Sequence, residues 1–251
     1  MPKVTLLTKI YSKAQVKKGG KVLRSLLQGL KVEARILEDT SGGWMRIELS
    51  GEDENIAVNH LAEEIGFCPT SLENVERFST IKGYITALKK GRDEICVDIG
   101  VVSPSTVYAT ISLCYLQAQL ADGRKLAMEK IVELFGFCEN LPLTIKVFSI
   151  DKEKNHIDAA LSEKQLNQYR NWQNSLLDRL IILGAPAYDV LSTLKNTELD
   201  RDVISVEPLG IFEHALVCKL GTDAAGLIPK IGKVLRNTTF TVFDPKKFCN
   251  F

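Results

Sequence analysis

The residue types that carry out acid–base and nucleophilic chemistry are few and scattered in this 251-residue sequence. Its three histidines, His60, His156 and His214, fall in three different parts of the chain. A nucleophile needs a positioned base beside it, and no recognisable motif brings such a pair together. The adjacent acids Glu63-Glu64 and Glu52-Asp53-Glu54 fit a solvated helix surface better than an acid–base pair. We therefore expect no catalytic residues and no enzyme activity.

Metal and redox sites are also not predicted. No two cysteines lie within three residues of one another, and with three histidines no zinc pattern can be drawn. Four cysteines stand in apolar runs, which predicts mostly small buried side chains in a reducing compartment. We expect no metal and no cofactor. The six cysteines are Cys68, Cys96, Cys114, Cys138, Cys218 and Cys249.

Basic residues at the two ends of the chain are candidates for phosphate contacts. The net charge is only +1, yet residues 1–30 carry seven Lys or Arg and no acid, whereas residues 31–80 carry four bases and eleven acids. Glycines before a helix let backbone N–H groups approach an anion, and Gly19-Gly20 and the 221–230 stretch are interpreted in this way. The nucleotide-binding spacing Gly-x-x-x-x-Gly-Lys-Ser/Thr is missing, and a plain solvated surface remains the alternative. The candidate phosphate contacts are Lys17, Lys18, Lys21, Arg24, Lys230 and Lys233.

The first unit that must position these residues covers residues 1–78. Hydrophobic periodicity predicts a strand at 4–7, a helix after Gly19-Gly20, and strands at 32–37 and 44–49. Ser50 and Asp53 resemble a capping box that opens a second helix, ended by Gly66. The order is β-α-β-β-α, an α+β domain.

The second unit, residues 79–166, is mostly strands. Runs at 81–88, 94–100, 106–112, 143–150 and 156–161 have strand character, and a helix at 125–135 precedes the last pair. Five strands with a helix before the closing hairpin is the outline of an OB barrel.

The third unit, residues 167–251, is predicted as a helical spacer and a small α/β domain. A helix capped by Ser162 is expected to run to about Leu183, and a second helix starts at Pro186. Strands follow at 203–206 and 212–220, then a helix at 229–235 and a strand at 239–243. The predicted fold class is thus α+β and multidomain. A weak echo between residues 18–25 and 230–237 leaves open whether the end units are duplicates.

Three segments of the second unit resemble the S-one RNA-binding domain of the OB fold. They are Lys82-Gly83-Tyr84-Ile85, Val97-Asp98-Ile99-Gly100 and residues 145–162, IKVFSIDKEKNHIDAALS. The last is the most specific, because the family shows a strand ending in Ile-Asp, a charged turn, a short strand and a Leu-Ser exit. The whole chain also resembles an archaeal protein family known only as a domain of unknown function.

The resemblance implies RNA lying across one barrel face, with aromatic rings on bases and basic groups on phosphates. Two departures from the family pattern are Cys96, where an exposed aromatic is usual, and the enlarged segment containing the 125–135 helix. The implied RNA-binding residues are Lys82, Tyr84, Lys89, Lys90, Arg92, Tyr108, Lys146, Lys152, Lys154 and His156.

Together these features predict a cytoplasmic, non-catalytic RNA-binding protein acting in translation, ribosome metabolism or transcription. RNA is the expected partner, with a ribosome or RNA polymerase as the larger assembly. No apolar stretch approaches 18 residues, so no membrane span is expected. The alternative is a protein-binding adaptor or assembly factor that docks on a larger complex through the barrel.

Overall fold

The computed structural model describes residues 1–37, 41–89 and 91–250, which form a mixed α+β molecule of three units, as expected. The first unit has the predicted β-α-β-β-α order. Its antiparallel sheet has the order β1-β3-β2. The elements are β1 (Lys3–Lys9), α1 (Lys13–Leu26), β2 (Val32–Ile36), β3 (Trp44–Gly51) and α2 (Glu54–Glu64).

Both helices of this unit begin at other residues than predicted. The Gln15 side chain accepts a hydrogen bond from the backbone N–H of Ser12 at 3.2 Å and starts α1 there. Gly19 and Gly20 therefore lie inside the helix, where helical hydrogen bonding occupies backbone N–H groups, and the prediction that they cradle an anion is wrong. Asp53, not Ser50, is the N-cap of α2.

The second unit contains a closed five-stranded barrel, as predicted. The strand order is β6-β5-β8-β9-β7, and pairing of β6 with β7 closes it, with β4 added at the edge of β6. Helix α3 was not predicted, and α4 starts at Met128 rather than at residue 125. The elements are β4 (Thr70–Ser71), β5 (Thr80–Ile85), β6 (Glu94–Ser103), β7 (Val107–Ser112), α3 (Leu113–Leu120), α4 (Met128–Phe135), β8 (Pro142–Asp151) and β9 (His156–Leu161).

The third unit is a helix followed by an antiparallel sheet of order β11-β12-β10-β13, with two helices. Its elements are α5 (Glu163–Asn174), β10 (Arg179–Leu183), α6 (Ala187–Asn196), β11 (Val203–Pro208), β12 (Glu213–Cys218), α7 (Ala224–Val234) and β13 (Thr239–Phe243).

Two predictions for this unit are wrong. The spacer helix ends at Asn174, and residues 179–183 form a fully buried strand. Short apolar runs are compatible with either state, so periodicity alone does not separate them. Helix α7 starts at Ala224, includes Pro229, and is capped by the Asp223 side chain, which accepts from the Ala225 N–H at 3.0 Å. The 221–230 stretch is thus not a phosphate loop.

The two end units share a topology. The sheet order β2-β3-β1 in the first matches β11-β12-β10 in the third, and each has its helices at the same places in the chain order. A bridge between Leu6 and Phe67 occupies the edge position that β13 fills in the third unit. The sequence echo does not follow this match, because residues 18–25 lie in α1 whereas residues 230–237 begin in α7.

The three units share hydrophobic cores. Ile181, Ala215 and Phe243 of the third unit belong to the same buried cluster as the barrel interior. Phe212 is completely buried in the core of the first unit. The barrel is therefore covered on part of its outer wall, which decides which of its residues can meet a ligand. Among the described residues, no helix is long and apolar enough to cross a membrane.

Candidate nucleic-acid interface

One stretch of the outer barrel wall stays open to solvent. Along β7, Val107, Ala109 and Ile111 point into the core, so Tyr108 and Thr110 point outward. Strand register places Tyr108 opposite Asp98 of β6, and Thr110 between Cys96 of β6 and Asp158 of β9. Tyr108 is 42% exposed. We call this surface, formed by the outward side chains of β6, β7 and β9, the open face.

A groove of about 510 Å³ runs along the open face beside β6. Tyr108 and Cys96 line it from the barrel, while Lys9 and Trp44 line it from the first unit. Burial raises the pKa of the Cys96 thiol, so at neutral pH this side chain is an uncharged part of the groove. The groove thus combines the aromatic rings of Tyr108 and Trp44 with both charged and uncharged side chains.

Two of the three carboxylates that line the groove, those of Asp98 and Glu94, pair with neighbouring cations, whereas Glu139 is exposed. Lys9 Nζ lies 2.6 Å from Asp98 Oδ2, and the same ammonium stands 5.0 Å from the ring centroid of Trp44. Arg92 Nη1 lies 3.0 Å from Glu94 Oε1. Because these acids are paired, they oppose an approaching phosphate less than free carboxylates would.

A loop with exposed cations stands at each end of the open face: residues 86–93 are net basic, whereas residues 151–155 combine Lys152 and Lys154 with Asp151 and Glu153. The 86–93 loop carries exposed Lys89 and Arg92 beside the start of β6. The 151–155 turn carries exposed Lys152 and Lys154 beside the start of β9, which runs parallel to β7. Four residue steps of paired strand, about 14 Å, separate the two ends. Lys90 lies outside the described residues.

His156 and Lys146 are accessible but stand apart from the groove. His156 Nε2 lies 2.9 Å from Asp158 Oδ1 on the outer side of β9. Lys146 is exposed on β8, one strand further round the barrel.

Tyr84 does not belong to the open face, so its predicted stacking role is wrong. Its side chain points outward from β5 but is completely buried, because Trp44 packs edge-on against it at 5.5 Å between ring centroids. Its hydroxyl oxygen lies 3.3 Å from Leu7 O and 3.4 Å from Glu213 Oε2, two acceptors that compete for its single proton. Tyr84 is a contact between units rather than a surface for a base.

Lys82 is likewise placed in the junction between units, and its predicted phosphate contact is wrong. Its ammonium donates to Leu209 O of the third unit at 2.5 Å. Burial lowers the pKa of Lys82, although the nearby Glu213 opposes this shift. Glu213 itself is fully buried and accepts a hydrogen bond from the Tyr11 hydroxyl at 2.9 Å. Burial raises the pKa of Glu213 to about 7.

The first unit presents a second basic surface on α1. Residues 13, 17, 21 and 24 follow the helical repeat and fall on one side of the helix. All four side chains are exposed. We call Lys13, Lys17, Lys21 and Arg24 the α1 stripe. Lys18 is turned away from it and pairs with Asp189 Oδ2 at 2.6 Å. Lys230 and Lys233 are exposed on α7.

Sequence reasoning missed the contribution of the first unit to the groove. Lys9 and Trp44 lie in strands of that unit and reach the barrel only through packing between units.

The histidines stay in separate places: His60 Nε2 lies 3.1 Å from Leu26 O, and burial lowers the pKa of His214 to about 4. Cys68 and Cys218 are buried, as the sequence predicts for most cysteines. Cys114 is an exception, because it is exposed. Within the described ranges, no group of three or more His, Cys, Asp or Glu side chains could hold a metal ion.

Comparison with protein-family models gives three matches in chain order. The DUF2110 N-terminal domain matches residues 3–71, the DUF2110 central domain matches residues 75–173, and the DUF2110 C-terminal domain matches residues 177–243. No curated protein matches the sequence.

Comparison with solved structures gives low similarity. GSP13 from Bacillus subtilis is 14% identical with a TM-score of 0.27, and the match covers 36% of this chain and 58% of that one. The alpha subunit of aIF2 from Pyrococcus abyssi is 9% identical with a TM-score of 0.27, over 67% of this chain and 97% of that one. A chain of the a/eIF2alpha-aDim2p-rRNA complex from Pyrococcus horikoshii is 12% identical with a TM-score of 0.27, over 50% and 62%.

Proposed function

We propose that this chain, which belongs to the DUF2110 family, is a non-catalytic RNA-binding protein whose open barrel face holds a single strand. The observation that carries the proposal is the exposed ring of Tyr108 on an uncovered barrel wall, with exposed Lys or Arg side chains in the loop at each end. Stacking platforms with flanking cations are how OB folds hold single-stranded nucleic acid. The S-one resemblance of the sequence supports the same assignment and favours a cytoplasmic role in translation, ribosome metabolism or transcription.

In this proposal Tyr108 stacks on one base while the loops contact the phosphates on either side. Lys89 and Arg92 serve one end, and Lys152 and Lys154 serve the other. The two ends lie about 14 Å apart, which leaves room for a short stretch of single-stranded RNA. This agrees with site sizes of about 4–16 nucleotides for one OB fold. The α1 stripe contributes phosphate contacts to longer or folded RNA.

Removal of the Tyr108 ring tests the proposal. Stacking on one aromatic side chain is worth about 1–3 kcal/mol by alanine substitution, so Tyr108→Ala should weaken binding at least about five-fold. The measurement is fluorescence anisotropy of a labelled 12-nucleotide single-stranded RNA at low salt. Tyr188→Ala is the matched control, because Tyr188 is exposed to the same degree, 41% against 42%, but lies on α6.

Unchanged RNA affinity in a folded Tyr108→Ala protein would show that the open face is not the RNA-binding site. Binding of the unsubstituted protein no tighter than a non-specific level of about 10⁻⁴–10⁻⁶ M would remove the RNA-binding function altogether. The protein-docking role of the barrel would then be the better explanation.

A further inference from the structure

A second group of accessible aromatic side chains lies on the barrel away from the Tyr108 groove. Phe78, just before β5, is 57% exposed, and Tyr115 on α3 is 43% exposed. The ring of Tyr115 stacks on Phe148 of β8 with 5.6 Å between centroids and 13° between planes. We call Arg77, Phe78, Tyr115 and Phe148 the aromatic patch.

Backbone contacts hold the members of the aromatic patch together. The Phe78 N–H donates to Val147 O at 2.8 Å, and Arg77 Nε donates to Phe148 O at 2.7 Å. The guanidinium of Arg77 stands 4.7 Å from the ring centroid of Phe78. The patch therefore combines rings with a cation already placed over one of them, the combination used for stacking on bases.

The backbone at Phe78 has an uncommon conformation. Its φ is 69°, in the left-handed region that bulky residues rarely adopt. Such backbone strain persists only when surrounding contacts impose it, and it clusters at functional sites. In this conformation the Phe78 N–H donates to Val147 O, and the side chain is exposed to solvent.

The aromatic patch lies within reach of a strand bound at Tyr108. Thr110 of β7 pairs with Asp158 of β9, and Asp158 pairs with Ser149 of β8, next to Phe148. Two strand spacings, about 10 Å along the sheet, thus separate β7 from Phe148. Exposed Lys146 lies on β8 as well. A single RNA strand that crosses the barrel wall from Tyr108 would meet the patch next.

We propose that the aromatic patch is a second base-stacking site for the same RNA strand, with Phe78 and Tyr115 as the stacking rings and Arg77 and Lys146 as phosphate contacts. This inference rests on the proposed function, because it extends the path of the strand that Tyr108 binds. It predicts that affinity depends on oligonucleotide length, since only a strand long enough to cover both places gains from both.

The test compares labelled single-stranded RNAs of 4 and 12 nucleotides by fluorescence anisotropy on the full chain. In the unsubstituted protein the longer strand should bind at least ten-fold more tightly than the shorter one. Phe78→Ala and Tyr115→Ala should each reduce this ratio at least about three-fold. Leu176→Ala is the matched control, because Leu176 is also a large exposed apolar residue, at 53%, with a positive φ of 53°.

The outcomes separate this inference from the function on which it rests. If Phe78→Ala and Tyr115→Ala leave the ratio unchanged while Tyr108→Ala weakens binding, the aromatic patch is overturned and the proposed function stands. If none of the three variants changes binding, both fail. A drop in the ratio that Leu176→Ala also produces would count against the patch, because it would reflect a general effect of removing an exposed apolar side chain.

Discussion

Tyr84 and Lys82 point out of the barrel wall, as the alternation along β5 predicts, yet both are buried because other units cover that part of the wall. The alternation of inward and outward residues along a strand predicts on which face of the sheet a side chain lies. It does not predict what packs over that face. Tyr108 has the same outward orientation and stays accessible only because nothing among the described residues packs over it. The S-one resemblance therefore pointed to Tyr84, Lys82 and Tyr108 together and could not separate binding residues from contacts between units.

The buried carboxyl group of Glu213 leads to a prediction about pH. Burial raises its pKa to about 7 in the folded protein, whereas an unfolded chain ionises it near the ordinary value of about 4.3. Between these values the unfolded state loses the proton first, so this group makes the folded state less stable as pH rises. The expected loss is on the order of 3 kcal/mol between about pH 4.5 and pH 7, and it grows no further above that range.

Glu213→Gln should remove this dependence. Urea unfolding at pH 5 and pH 7.5 measures it: the difference in unfolding free energy between variant and parent should shift in favour of the variant at the higher pH. Glu129→Gln, at an exposed carboxyl on α4, should show no such shift. An equal difference at both pH values for Glu213→Gln would contradict the buried, protonated state of this carboxyl at the lower pH.

At the scale of elements, the first unit and the barrel follow from hydrophobic periodicity, because their strands alternate and their helices have one apolar side. The wrong secondary-structure predictions fall on segments that have no clear hydrophobic periodicity. The Leu180-Ile181-Ile182-Leu183 run is buried on both faces, between the barrel core and the core of the third unit, so it has no polar alternation to mark it as a strand. In α1, the glycines suggested a helix start, whereas Gln15 had already begun the helix.

Substitution of two glycines in different elements by alanine should change the unfolding free energy in opposite directions. A Cβ on Gly83 of β5 would lie 2.6 Å from Asp98 O and from Val97 Cγ1 across the barrel wall. Gly83→Ala should therefore lower the unfolding free energy by about 1–3 kcal/mol. A Cβ on Gly20 of α1 meets nothing within 4 Å, and Gly20→Ala should raise it by about 0.5–1 kcal/mol. Urea denaturation compares them, and effects of the same sign would contradict this account of the barrel wall.

At the scale of the whole molecule, packing between units creates the candidate site. Lys9 reaches Asp98 across 89 positions of sequence, and Tyr11 reaches Glu213 across 202. Neither pairing has a local signal, because each depends on how complete units dock. The same docking covers Tyr84 and leaves Tyr108 exposed, so the boundary of the open face is a property of the assembled chain. The S-one resemblance located the barrel but carried no information on its neighbours.

The distribution of charge over the assembled molecule predicts how RNA binding depends on salt. Each phosphate neutralised on a single strand contributes about 0.7 to the slope of log affinity against log salt. Four cations on the open face, Lys89, Arg92, Lys152 and Lys154, thus predict a slope of about −3 for a strand that covers the open face alone. Arg77 and Lys146 bring it to about −4 for a 12-nucleotide strand that also reaches the aromatic patch. The net charge of +1 alone would predict almost no dependence.

The α1 stripe lies on a different unit, so it should act only on RNA that extends beyond the barrel. Lys17→Ala with Lys21→Ala should leave the slope for the 12-nucleotide strand unchanged and reduce it by about 1.8 for a folded RNA of several helical turns. Lys3→Ala with Lys31→Ala is the matched control, because these lysines belong to the same unit but pair with Glu48 and Glu52. Anisotropy titrations at several salt concentrations measure all six slopes, for the parent and the two double variants with each RNA. A reduced slope for the 12-nucleotide strand would show that the α1 stripe also contacts RNA bound at the barrel. An unchanged slope for the folded RNA would show that the α1 stripe is a solvated helix surface that does not contact RNA.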